Sequence, residues 1–161
     1  GRLLLSDIGQ DYVEEINEIV SGGNYGWGHR EGTYAVSAPG NADIFPLPPN
    51  DDTCGYTYPV LQYDRDDGDV AISGGYVYRG SAIPDLYGEY LFGDLTSGRV
   101  FHAAESSLVE QVAGNSPAFE VFQLVDAADG QVKTLKQMIN EANKDCCASR
   151  TDLRYGMDDD G

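Results

Sequence analysis

Positive charge is what this chain has least of. It carries 10 Lys+Arg against 27 Asp+Glu, a formal net charge of −17. A phosphate backbone needs a cationic face, so a nucleic-acid partner is not expected. Cysteine is also sparse. Three residues, Cys54, Cys146 and Cys147, are too few for a disulfide scaffold. A bridge between the adjacent pair would be strained, so either Cys54 pairs with one of them or all three are thiols. No Cys-x-x-Cys occurs and the two histidines lie far from the cysteines, which excludes a zinc site of the usual spacing. No apolar run reaches the roughly 18–20 residues that span a bilayer. Near the start the longest is Leu3–Leu5, so no signal peptide is visible. The chain begins at Gly1 without Met and stops at Gly161, so we expect a processed protein or a piece of a longer one. Nucleophile elbows, Walker loops and dinucleotide fingerprints are absent. Only His29 and His102 are available as imidazole bases, and we read both as structural or surface residues.

Glycine and tyrosine are what the chain has in excess. Twenty glycines and eleven tyrosines point to a turn-rich, all-β fold. Period-2 alternation predicts strands over 56–63, 70–79, 89–92, 99–103, 119–125 and 131–135. Gly74-Gly75 interrupts the second, as at a bulge or a close backbone approach. The segment 14–20 fits a helical stripe or a strand, and 138–144 is a short helix. The Pro/Asn/Asp-rich stretch 38–54 reads as a long surface loop. Gly22–Gly32 and Gly74–Gly98 share a plan of glycine turn, aromatic strand and acidic turn, which suits propeller blades.

The acidic runs Asp64-Arg65-Asp66-Asp67-Gly68-Asp69 and Asp158–Asp160 lack the EF-hand register, and we read them as solvated turns. Glu14-Glu15 is different. On an extended strand the two carboxylates point to opposite faces, one toward a cavity and one toward a metal. The plainer alternative is a charged edge.

A resemblance enters at Ser6-Asp7-Ile8-Gly9-Gln10-Asp11-Tyr12-Val13-Glu14-Glu15-Ile16-Asn17 and Gly22-Gly23-Asn24-Tyr25-Gly26-Trp27. It continues through Gly74-Gly75-Tyr76-Val77-Tyr78-Arg79-Gly80, Ile83-Pro84, Gly88-Glu89-Tyr90-Leu91-Phe92-Gly93-Asp94, Gly98-Arg99-Val100-Phe101 and Asp152-Leu153-Arg154-Tyr155-Gly156. The combination resembles the glucose/sorbosone dehydrogenase family, which includes PQQ-dependent sugar dehydrogenases and hedgehog-interacting-protein-like proteins. The resemblance implies a six-bladed β-propeller of about twice this length. Residues 1–161 would then be the C-terminal part of one propeller domain, truncated at both ends, with about three blades of four-stranded antiparallel sheets.

The same resemblance implies a site. Backbone carbonyls of Gly9 and Gln10 would hold a Ca²⁺ that clamps PQQ, with Glu14 at the cofactor or its shell. Thr96 stands where the family has a cofactor-binding Lys, and Arg150 near a cofactor-contacting Arg. Glu15 would support a structural Ca²⁺, completed by backbone oxygens near Tyr25 and Glu31. One further ligand maps to Ala35, which has no carboxylate. The catalytic His and an Arg-Asn pair would lie upstream of this chain. The loop covering the cofactor is replaced by Gln62–Ala71, closer to the hedgehog-interacting-protein-like branch.

The expected function is therefore a fragment of a periplasmic or secreted quinoprotein. The intact protein would oxidise a sugar or polyol and pass electrons to an external acceptor, with this chain inactive alone. The alternative is a non-catalytic, calcium-stabilised propeller that binds a protein or glycan. A calcium-dependent lactone hydrolase is a third reading, against which the motifs speak.

Overall fold

A computed structural model of the chain describes residues 1–37, 43–111, 116–143 and 147–157. Among the described residues its regular structure is mostly strand, in three antiparallel sheets, with one α-helix. The first sheet pairs β1 (Leu4–Asp7), β2 (Val13–Glu18) and β6 (Leu61–Asp64) in that order. Between β2 and β6 the chain makes an excursion that builds a second sheet from β3 (Arg30–Glu31), β4 (Tyr34–Val36) and β5 (Ile44–Pro46). The third is a four-stranded meander of β7 (Ile72–Ser73), β8 (Glu89–Asp94), β9 (Val100–Ala104) and β10 (Glu120–Val121). This meander has the four antiparallel strands that the sequence resemblance leads one to expect of each sheet. The other two sheets have three strands each.

Alternation explains the central hairpin. In β8 Tyr90 and Phe92 face inward, and in β9 Phe101 and Ala103 do the same, in register Tyr90↔Ala103 and Phe92↔Phe101. Phe119 stands edge-on to Phe101 at 5.3 Å, and Tyr63 of β6 joins them at 5.6–5.8 Å. Ile16, Val60, Leu61, Ile72 and Leu108 complete this core, which binds the first sheet to the meander.

Several expected elements are shorter than their patterns. The ladder expected over 56–63 begins only at Leu61, after Pro59, which has no N–H to donate. That of 70–79 is confined to Ile72–Ser73 plus a bridge at Val77. The reason is Gly74-Gly75. A Cβ on Gly75 would lie 2.1 Å from the Leu91 carbonyl, so the backbones approach closely, as the paired glycines imply. The stretch 119–125 pairs only over Glu120–Val121, and 131–135 keeps one bridge, Val125↔Val132. Leu135 belongs to the helix α1 (Leu135–Ala142) instead, because Thr134 and Gln137 form a capping box just before it. The ambiguous segment 14–20 is a strand through Glu18. Part of the expected loop 38–54 is strand β5 and a 3-10 turn at Asp51–Cys54. Cys54 and Cys147 are free and exposed. Cys146 and Asp158–Asp160 lie outside the described residues. Among the described residues no helix is long and apolar enough to cross a membrane.

Candidate functional site

Strand β2 is buried along Val13–Asn17, yet it carries Glu14, Glu15 and Asn17. Buried polar side chains need partners. Alternation sends the two glutamates to opposite sides, as their adjacency predicts.

Glu14 is fully buried. Its Oε2 accepts from the Ile72 backbone N–H at 2.9 Å, which ties β2 to the start of the meander. Its Oε1 accepts from Nε of Arg65 at 2.8 Å and from the same guanidinium's Nη2. Arg65 also donates through Nη1 to the Gln10 carbonyl at 3.1 Å and through Nη2 to the Gly9 carbonyl. Burial raises the Glu14 pKa, against the opposing pull of the Ile72 N–H and Arg65.

The loop bearing Gly9 and Gln10 is folded tightly. A Cβ on Gly9 would sit 1.8 Å from the Val13 carbonyl, so no side chain fits there. Oε1 of Glu31 accepts the backbone N–H groups of Asp11, Tyr12 and Val13 at 2.9, 2.6 and 2.9 Å. Glu31 thus holds the loop by its donors, and Arg65 holds it by its acceptors.

Glu15 faces Glu31 and Gly32. Its carboxylate accepts from the Asn17 amide at 3.1 Å. Burial, with Asp7 and Glu31 adding repulsion, pushes its pKa up to about 7. Asp7 is raised by burial too. The Asn17 Oδ1 is buried without a hydrogen-bond partner. Tyr25 serves the same region as an anchor: its hydroxyl donates to the Glu18 carbonyl at 3.0 Å and accepts from Val20 N–H at 2.9 Å.

Thr96 lies in the β8–β9 turn. There Asp94 Oδ1 accepts from Thr96 and Ser97 N–H, both at 2.8 Å, and its Oδ2 from Ala71 N–H at 2.6 Å. Lys136 of α1 donates to the Thr96 carbonyl at 2.9 Å, which brings an ammonium to this turn from a distant position. Arg150 is exposed. It precedes Thr151, whose N–H donates to the Leu95 carbonyl at 2.6 Å, which brings the backbone next to Arg150 to the same turn. Gly9, Gln10 and Glu14 are therefore in direct contact through Arg65, and Thr96 joins them through Asp94, Ala71 and Ile72.

Beside this network is a cavity of about 300 Å³ lined by Tyr63, Asp64, Asp67, Asp69, Arg99 and Phe119, with Gln62 at its margin. Arg99 pairs with Asp69 and lies over the Phe101 ring. The second Asp69 oxygen, Oδ1, and the Tyr63 hydroxyl are buried without hydrogen-bond partners. Burial raises both pKa values, and the phenol is raised further by Asp94, Glu14 and Asp69.

Arg65, Asp69, Asp94 and Arg99 were not among the residues the sequence pointed to. Arg65 and Asp69 sit in the Asp-rich run read as a solvated turn, yet Asp69 is buried and Arg65 is mostly so. One basic residue among four acids was the available signal. The histidines lie apart from Gly9–Glu14: His102 bonds Glu89 at 2.9 Å and packs edge-on against Phe122.

Two carbonyls and a carboxylate converging on one point are oxygen ligands of the kind Ca²⁺ takes. Arg65 already fills that point. The residues present therefore do not fit a metal ion at the Gly9–Gln10–Glu14 corner.

An all-β chain with this paired-glutamate strand and acid-capped turn belongs to a known class. It matches the profile of the family described as Glucose / Sorbosone dehydrogenase over residues 1–138, and it belongs to that family. Similar proteins include the HIPL2 protein of Arabidopsis thaliana, 37% identical over 112 residues, and the HIPL1 protein of the same plant, 35% identical over 112 residues. Each match covers 64% of this chain and 15% of the relative's length. No solved structure matches the chain.

Proposed function

We propose that this chain is part of an extracytoplasmic propeller of its family that recognises a neutral sugar, polyol or glycan without oxidising it. The observation that carries this reading is the cavity itself, which sets Asp64, Asp67, Asp69 and Arg99 together with the Tyr63 and Phe119 rings. A vicinal diol suits it. One hydroxyl donates to Asp67, the exposed acid of the cavity, and its neighbour accepts from Arg99, while Phe119 and Tyr63 offer apolar surface to the C–H groups. A metal would have to displace Arg99, and an anion would meet three aspartates. The location that goes with this reading is periplasmic or secreted.

The test is binding of the protein to a panel of neutral oligosaccharides by calorimetry. Saturable binding that weakens about tenfold or more in Asp69→Ala is expected, since Arg99 loses the buried carboxylate that positions it. Binding unaffected by Asp69→Ala, or no binding to any neutral saccharide, overturns the reading.

A second reading has one observation in its favour: the convergence of the Gly9 and Gln10 carbonyls with Glu14. In it Ca²⁺ would have to displace Arg65 from Gly9, Gln10 and Glu14, PQQ would lie beside it with Thr96 and Arg150, and a structural Ca²⁺ would lie at Glu15, Tyr25 and Glu31. The intact protein then oxidises a sugar or polyol and reduces an external acceptor. PQQ-dependent dye reduction by the intact protein, abolished by EDTA, would favour it over recognition alone.

A further inference from the structure

We infer that Arg65 is this site's own cation: its guanidinium takes the place of a divalent metal among the Gly9 and Gln10 carbonyls and the Glu14 carboxylate, so that this corner neither needs nor admits calcium. The inference concerns the corner alone and stands independently of which saccharide the neighbouring cavity takes.

The geometry is complete. Arg65 directs Nε and Nη2 at one Glu14 oxygen, Nη1 at the Gln10 carbonyl and Nη2 also at the Gly9 carbonyl. The other Glu14 oxygen is taken by the Ile72 N–H. A planar fork with five donors matches such a set of oxygens, where an ammonium would offer only a point charge. The charges also balance. Glu14 is fully buried and Arg65 neutralises it. A dication in the same place would face the guanidinium at contact distance, with Asp94 as the one further carboxylate acting on Glu14.

The surrounding backbone is built to present those carbonyls. Glu31 takes three consecutive N–H groups on the far side of the loop, and Gly9 leaves no room for a Cβ. The opposite face of the same strand is the internal comparison. Glu15 is buried beside Asp7 and Glu31, and among the described residues the side chains acting on it are Asn17 and these two acids, none of them basic. One strand thus carries a carboxylate closed by a built-in cation and another that is not.

The Arg65 Nε–H resonance of the ¹⁵N-labelled protein, assigned by its loss in Arg65→Lys, reads the corner directly. CaCl₂ at about 10 mM, or EDTA, should leave it unmoved. A shift or broadening on adding calcium, reversed by EDTA, would mean that metal displaces the guanidinium and would overturn the inference. A second measurement uses the Glu15→Gln background, which removes the other acidic face. There Arg65→Ala should acquire a calcium-dependent rise of several degrees in melting midpoint that the Arg65 protein lacks. Equal calcium responses with and without Arg65 would also overturn it. If Arg65→Ala does not fold, the resonance decides alone. Loss of saccharide binding in Asp69→Ala with an unmoved Arg65 signal keeps the two ideas separate.

Discussion

Glu15 shows what a buried carboxylate does without a counter-charge. Its pKa of about 7 stands above the ordinary value of 4.5. Between those two values the folded protein holds a proton that the unfolded chain has released. Stability contributed by the protonated form is therefore lost as pH rises through that window. Glu15→Gln should flatten the fall, and above pH 7 it should be more stable than the parent by on the order of 1–3 kcal/mol. Urea denaturation at pH 5 and pH 8 checks this; an unchanged slope would assign the proton to another group. The opposed directions of Glu14 and Glu15 were legible in the sequence, because strand periodicity is local. Their partners were not. Arg65 lies 51 residues from Glu14, and it reaches there only because β6 pairs with β2. Asp69 is likewise buried by a partner, Arg99, that is 30 residues away.

At the scale of elements, the meander depends on one close approach. Gly75 faces the Leu91 carbonyl and the Tyr155 ring, where an added Cβ would meet them at 2.1 and 2.9 Å. Gly75→Ala should push the chain after β7 away from β8 and cost about 1–3 kcal/mol. Gly156→Ala, with nothing within 4 Å, is the matched control and should stay within about 0.5 kcal/mol of the parent. Equal effects in thermal melts would refute the close-approach explanation. Paired glycines inside a strand pattern made this site readable in advance. The hairpin β8–β9 was readable for a similar reason, since its inward positions alternate without interruption. The pairing of β6 with β2 was hidden, because a ladder formed across a long excursion leaves no short-range pattern; the second sheet was hidden because its strands are only two or three residues long, too short to show alternation. The helix was misjudged at its start, where Thr134 and Gln137 carried the capping signal.

For the whole molecule the question is how a chain with a net charge of −17 stays compact. Its few cations are spent internally. Arg2, Arg30, Arg65, Arg79, Arg99, Lys133 and Arg154 all form ion pairs. Lys133 alone stands among Asp126, Asp129 and Glu141. The pairs of Arg30 and Arg65 are largely shielded from water, so salt screens them little. Uncompensated carboxylates dominate the surface, and they repel one another over the roughly 30 Å Debye length of a 0.01 M solution. Sodium chloride raised from about 0.01 to 0.3 M should therefore raise the melting midpoint, because it screens the repulsion more than the pairs. Potassium chloride should act alike, since the effect needs no specific ion. A midpoint that falls with either salt would mean that exposed pairs, such as that of Arg79 with Glu105, hold the fold more than the repulsion loosens it. A rise with calcium far beyond that at equal ionic strength would point instead to a specific site, either the Glu15 face or the cluster of Asp126, Asp129 and Glu141.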